Sequence, residues 1–339
     1  MINNSCNTKI DFQKISKIMI VRLGKIGDLV VTSFVFEVLK KTFPKIEIHL
    51  LTLPSNKDVI KYNPNLTKVF YSKKNLSLYF RLFFIRKEKY DMMLDFNDNP
   101  SSTSAMLFRF VKARIKVGYD FTKYNRVINY KIKPLRKENT HIIERMKNFL
   151  AQLGLDVDEN LIKPFFYLGS DELAEVQTEL MPTENHHLIM INLSAGAKIR
   201  YWSDEKWISL IRLIQAHNNN FSIILLSTEE DFIHKEKIAT ALKLKIYNQG
   251  MFTSIQHFAA YIQCAKLLIT PDTSAVHIAS ALGIPTLALF PNPEWNFVSW
   301  QPYRVANRVI KSLTENVNDI SVEEVFSKFK SLINEIGLA

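Results

Sequence analysis

The chain has 339 residues, enough for two domains at about 100–200 residues each. Its 47% hydrophobic and 23% charged residues suit a globular protein with sizeable cores. No apolar run reaches the roughly 18–20 residues of a membrane span, and the start has no signal-peptide core; the expected location is the cytoplasm.

Two cysteines, Cys6 and Cys264, are too few for a disulfide framework or a cysteine-based metal site. The net charge of +11 is uneven: the first 170 residues carry 30 Lys and Arg against 15 Asp and Glu, the rest 14 against 18. A basic half attracts nucleic acid, an anionic membrane surface or a phosphorylated ligand, or is a lysine-rich bias without binding meaning.

In chain order, strands are expected at 17–23, 47–53, 67–72, 89–96 and 113–120, and helices at 28–42, 74–88 and 101–111. Regular alternation of this kind gives parallel strands covered by helices on both faces. Residues 121–140 read as a basic loop, and a helix over 140–153 follows. Residues 166–186, with scattered acids and Pro182, read as an inter-domain region. A second α/β series then begins. Strands are expected at 187–196, 222–227, 245–250, 266–273 and 285–290. Helices are expected at 204–217 with Ser203 as N-cap, 230–242, 254–265, 274–283 and 321–336. The fold expected is α/β, two Rossmann-like doubly wound parallel-sheet domains facing a cleft. Its boundaries are 1–165, a linker at 166–186, 187–320, and a C-terminal segment 321–339 that could pack back on the first domain.

Ligands in open parallel sheets bind at the carboxyl ends of strands, so those ends hold the candidates. The first is GKIGD (24–28). It lacks the G-x-G-x-x-G pattern, and no acid ends the second strand. Asp28 has two readings: a helix N-cap stabilised by free N–H groups, or a carboxylate held at the cleft as a general base. The second is NLSAGAKIRYWSDEKW (192–207), a small-residue loop with Lys198 and Arg200, suited to a diphosphate or an incidental surface loop. The third is TPDTSAVHIASALGIP (270–285), where Asp272, Thr273 and Ser274 open a helix carrying His277; hydroxyls with helix N–H groups make an anion site, or an ordinary cap and a packed histidine. Asp95 and Asp98 do not form a D-x-D pair, and no obligatory metal or other cofactor is expected. Over 74–90, Leu76, Tyr79, Phe80, Phe83 and Phe84 share helical spacing, Leu82 and Ile85 broaden the face, and cations surround it. Such a helix either covers the sheet or lies on an anionic bilayer.

Together these stretches resemble glycosyltransferase family 9, the ADP-heptose:lipopolysaccharide heptosyltransferases. IVRLGKIGDLVVTSFVFEVLKKTFP is similar to the family's strand–Gly-Asp–helix opening, NLSAGAKIRYWSDEKW to its Pro-Gly-Ala…Lys-x-Trp-Pro loop, and LLITPDTSAVHIASALGIP to its Asp-Thr-Gly…His segment. The chain departs from the pattern at Ser194, Arg200, Ser203 and Ser274. The resemblance implies a GT-B fold with the acceptor in the first domain and the nucleotide sugar in the second. It implies an inverting, metal-independent transfer of heptose from ADP-heptose to the inner core of lipopolysaccharide, or of another sugar such as a hexose or N-acetylhexosamine. A sugar-nucleotide epimerase or hydrolase and a non-catalytic binder are the alternatives. Asp28 takes the place of the base; Lys198, Arg200, Asp272, Thr273, Ser274 and His277 that of the donor site, with Glu229 or Glu230 for the ribose. Arg22, Lys25 and Gly27 stand beside the acceptor. The partners implied are a nucleotide sugar, a phosphorylated lipid A–core acceptor and the inner face of the cytoplasmic membrane, with no nucleic acid.

Overall fold

The structure, a computed structural model, describes residues 10–180, 187–245 and 254–338. It divides between Ile162 and Lys163 into two units, each built on its own sheet.

The first unit has six parallel strands: β1 (Lys17–Arg22), β2 (Glu47–Thr52), β3 (Lys68–Tyr71), β4 (Tyr90–Asp95), β5 (Ala113–Tyr119) and β6 (Tyr130–Ile132). Their order is β3-β2-β1-β4-β5-β6. Helices α1 (Ile26–Thr42), α2 (Leu76–Lys87), α3 (Ser102–Phe110) and α4 (Ile142–Gln152) accompany them. Central strands such as Ile18–Val21 and Met92–Leu94 are buried, as continuous apolar runs must be when helices cover both faces. The short β6 lies inside the stretch expected as a loop. Its alternation of buried Tyr130 and Ile132 about Lys131 spans only three residues, too few to stand out as a period.

The second unit has α5 (Ser170–Leu180), then β7 (His187–Asn192), α6 (Asp204–His217), β8 (Phe221–Leu226), α7 (Phe232–Leu242), α8 (Ile255–Cys264), β9 (Leu267–Pro271), α9 (Ser274–Leu282), β10 (Thr286–Phe290), α10 (Glu294–Trp300), β11 (Asn307–Lys311) and α11 (Val322–Glu335). The strands are parallel in the order β11-β10-β9-β7-β8. The strand expected at 245–250 lies, beyond Lys245, outside the described residues.

Two expected boundaries differ. Residues from Lys163 onward belong to the second unit rather than to a linker: the Gln256 side chain accepts from the Gly169 N–H at 3.1 Å and donates to the Tyr167 carbonyl at 3.0 Å, and α5 packs on α8. Helix α11 packs on α6 and β11 of its own unit, with Val325, Phe329, Leu332 and Ile333 in that unit's core. Among the described residues no helix is long and apolar enough to cross a membrane.

Candidate functional site

In each sheet the strand order reverses once. The reversal falls between β1 and β4 in the first and between β7 and β9 in the second. Connections leave such a point for opposite faces and open a crevice at the carboxyl ends. The candidate residues gather at these two places, and each is described within its own unit.

At the first, β1 ends on Arg22 and α1 begins four residues later at Ile26, with Lys25 as N-cap. Asp28 is therefore the third residue of the helix, not its cap. It still serves the helix end, because its Oδ2 accepts the Lys25 N–H at 2.8 Å, one of the donors a helix start leaves unpaired. Its Oδ1 accepts from Arg22 Nη2 at 2.9 Å. Arg22 is buried and turned inward: Nε donates to the Asp28 carbonyl at 3.2 Å and Nη1 to the Phe96 carbonyl at 3.0 Å. Arg22, expected beside the acceptor, thus holds Asp28 and ties the end of β1 to the end of β4. The Asp28 side chain keeps 28% of its surface open against 5% for Arg22. Lys25 is exposed, and Gly27 lies in the first turn.

The bend itself is braced. Thr52 Oγ1 donates to the Arg22 carbonyl at 2.8 Å, and Asn56 Nδ2 donates to the Gly24 carbonyl at 3.0 Å. Any Cβ on Gly24 would stand 2.6 Å from Asp28 Cβ, Cγ and Oδ2, so only glycine lets the strand end pass this close to the carboxylate. Beneath, Asp95 is fully buried at the end of β4. Burial pushes its carboxyl up, against the lowering pull of Ser104, the Asn97 N–H and Arg22. Asp98 pairs with buried Arg145 at 2.9 Å.

At the second, Asn192 ends β7 and its Nδ2 donates to Thr270 Oγ1 of β9 and to the Ser194 carbonyl, both at 3.0 Å. The following loop turns through Gly196 at φ +68°, a left-handed conformation natural to glycine. Lys198 is exposed on the 3-10 turn Lys198–Arg200. Arg200 Nη1 donates to the Asp272 carbonyl at 2.8 Å and Nη2 pairs with its carboxylate at 3.3 Å. Asn296 of α10 donates to the same carboxylate at 2.7 Å. Asp272 is buried and Arg200 is a third open, with its buried Nε lacking a protein acceptor among the described residues. Thr273 caps α9, its Oγ1 accepting the Ala275 N–H at 3.2 Å. The N–H groups of Thr273 and Ser274 donate to no protein acceptor among the described residues. Free amides at a helix start with an arginine alongside make an anion site. His277 is buried, its ring edge-on to Trp300 at 5.6 Å.

The three acids after β8 differ in burial. Glu229 and Glu230 are exposed. Asp231 instead is buried, accepting from Tyr201 Oη at 2.7 Å and Thr228 Oγ1 at 3.0 Å. Burial, then Asp231, pushes the Tyr201 phenol up. Ser203 caps α6 as expected, accepting the Lys206 N–H at 3.4 Å. Sequence reasoning missed Asn56, Asn192, Asp231 and Asn296. Asn192 alone carried a signal, as a polar residue closing an apolar strand run.

Comparison with known proteins places this arrangement. A family model described as glycosyltransferase family 9 (heptosyltransferase) matches residues 83–330. Lipopolysaccharide heptosyltransferase 3 of Escherichia coli is 23% identical over 309 residues, covering 82% of this chain and 83% of the relative. A putative lipopolysaccharide heptosyltransferase 4 of E. coli K12 is 24% identical over 345 residues, covering 98% and 92%. Among solved structures, a family 9 glycosyltransferase from Veillonella parvula superposes with a TM-score of 0.79 at 19% identity, covering 97% and 99% of the two chains. The E. coli heptosyltransferase WaaC with ADP gives 0.71 at 16% identity, covering 95% and 99%. Likeness at this identity speaks to the fold, which is that of the GT-B glycosyltransferases.

Proposed function

The chain belongs to glycosyltransferase family 9, and we propose that it transfers heptose from ADP-heptose to the inner core of lipopolysaccharide. The donor class is supported by the relatives, which are named as lipopolysaccharide heptosyltransferases.

The observation that carries the reading is the Asp28 carboxylate, fixed by Arg22 and the Lys25 N–H yet open to solvent. In the proposed reaction Asp28 takes the proton of an acceptor hydroxyl as that oxygen bonds to the anomeric carbon. The bond from that carbon to the diphosphate breaks and its electron pair leaves with ADP. Attack opposite the leaving group inverts the configuration. Charge developing on the diphosphate would be met by Arg200, Lys198 and the open N–H groups at Thr273 and Ser274, the kind of preorganised stabilisation that dominates many enzymes.

General-base help of this type is worth about 10²–10⁴ in rate. Asp28→Asn is therefore expected to lose turnover by that order while holding its donor affinity. Wild-type turnover in that variant would remove Asp28 from the role. A panel of ADP- and UDP-sugars with truncated lipooligosaccharide acceptors, read by mass, tests the donor: heptose addition from ADP-heptose alone is expected, and transfer only from a UDP-sugar would overturn the proposal.

A further inference from the structure

Helix α2 buries Leu78, Leu82 and Ile85 against the first sheet. Its other side carries Leu76, Tyr79, Phe80, Phe83 and Phe84, between 56% and 76% exposed. The helix covers the sheet with Leu78, Leu82 and Ile85, so Leu82 and Ile85, expected to broaden the aromatic face, lie on the opposite side from it. Positions 76, 79, 80, 83 and 84 line one face for about 12 Å at 1.5 Å per residue. An ordinary surface helix offers charge there. This one offers four aromatic rings and a leucine, with Lys87 Nζ laid over the Phe83 ring at 4.2 Å.

The stripe ends beside an open depression of about 390 Å³ lined by Arg86, Lys89, Arg109, Lys112, Arg114 and Lys116, and by no carboxylate. Arg114 reaches Asp91 at 3.6 Å, and Lys116 is held by the Phe108 carbonyl. Arg86, Lys89, Arg109 and Lys112 have no carboxylate within ion-pair distance among the described residues. Burial first, then Arg86, pulls the Lys116 ammonium down, as expected where cations crowd without counter-charge.

We propose that the α2 aromatic stripe and the adjoining cationic depression dock the protein on an anionic lipid bilayer. Aromatic rings settle at the headgroup level of a bilayer while flanking lysines and arginines meet anionic headgroups. A second copy of the chain fits the surface less well: two-fold pairing of the stripes would bring the cationic depressions toward one another without a negative partner. The inference does not depend on which sugar is transferred.

Vesicle co-sedimentation of the full chain tests it, with phosphatidylethanolamine/phosphatidylglycerol vesicles against phosphatidylcholine alone. Wild type is expected to sediment with the anionic vesicles, less at high salt, and to stay in solution with the neutral ones. At about 1 kcal/mol per cation, Arg86→Gln with Lys89→Gln lowers the partition coefficient roughly thirty-fold. Phe80→Ser with Phe84→Ser is expected to lower it at least as far. Both pairs are exposed, so unchanged melting and unchanged turnover on a water-soluble acceptor show that fold and sugar-transfer site are intact. The proposal is overturned if wild type ignores anionic vesicles or if either double variant sediments like wild type. It is equally overturned if sedimentation velocity shows a dimer that the phenylalanine variant dissociates.

Discussion

Gly24→Ala is the sharpest probe of the candidate base, because it moves Asp28 without altering its chemistry. The new Cβ would lie 2.6 Å from three atoms of Asp28, its own Cβ among them. Ordinary carbon–carbon contact is about 3.5–4.0 Å, so roughly 1 Å must be found. A side-chain tip could swing away, but Asp28 Cβ is fixed to the first turn of α1. The displacement has to shift that turn, stretching the bonds to Lys25 N–H and Arg22. Overpacking of this kind costs about 1–3 kcal/mol, partly offset by about 0.4–1 kcal/mol from the less flexible unfolded chain. A reacting group misplaced by ~1 Å can cost ~10² in rate. Turnover should therefore fall by about two orders of magnitude, while a urea melt shows a loss of only ~1–2 kcal/mol. Both are read on one preparation, the first by mass change of the acceptor. Turnover within about three-fold of wild type, well short of the expected loss, would refute the claim that the placement of Asp28 matters.

Arg200→Ala is expected to weaken donor binding about ten- to a hundred-fold, as loss of a charge-assisted contact worth ~1.5–3 kcal/mol implies; calorimetric titration with ADP checks it. Asp231→Ala should lower stability by ~1–3 kcal/mol through the orphaned Tyr201 and Thr228 hydroxyls, whereas exposed Glu230→Ala leaves the urea midpoint in place. Lys235 is buried and desolvation brings its ammonium down to about 8. Between pH 8 and the unfolded value of 10.5 the unfolded chain binds more protons, so this group's contribution to stability rises with pH there, and its burial cost is full below pH 8. Lys235→Met should thus stabilise at pH 7 by up to about 3 kcal/mol, with the gain gone near the unfolded pKa; melts at the two pH values decide it.

The long apolar strand runs and the polar residues at their ends were legible because a strand buried on both faces leaves no other composition open. β6 and β11 were not, since three to five residues with partly exposed positions carry too little contrast. The place of Asp28 was readable and its partner was not. Arg22 reads in the sequence as a neighbour of the acceptor, and its bond to Asp28 appears only once the turn carries Asp28 back over it, six residues on. Three consecutive acids follow β8, and only packing separates buried Asp231 from exposed Glu229 and Glu230. In α2 both faces are apolar, so period alone identifies two stripes without saying which one meets the sheet.

Arg22–Asp28 at the first reversal point and Arg200–Asp272 at the second are arginine–carboxylate pairs of opposite polarity. In the first unit the arginine is sunk, 5% open, and the carboxylate stands out at 28%; in the second the carboxylate is sunk at 7% and the arginine stands out at 32%. A buried partner fixes the outer group's orientation and relieves it of the entropy of a free side chain. The outer group then differs in kind: an oxygen acceptor on one sheet, a cation beside open helix amides on the other. Sugar transfer from a nucleotide donor asks for these two things, a proton acceptor for the incoming hydroxyl and positive charge for the departing diphosphate. Exchanging the pair within a unit, as in Arg22→Asp with Asp28→Arg, could preserve an ion pair and would still present the wrong group. The proposed chemistry therefore depends on which member of each pair is buried, beyond the presence of the pairs themselves.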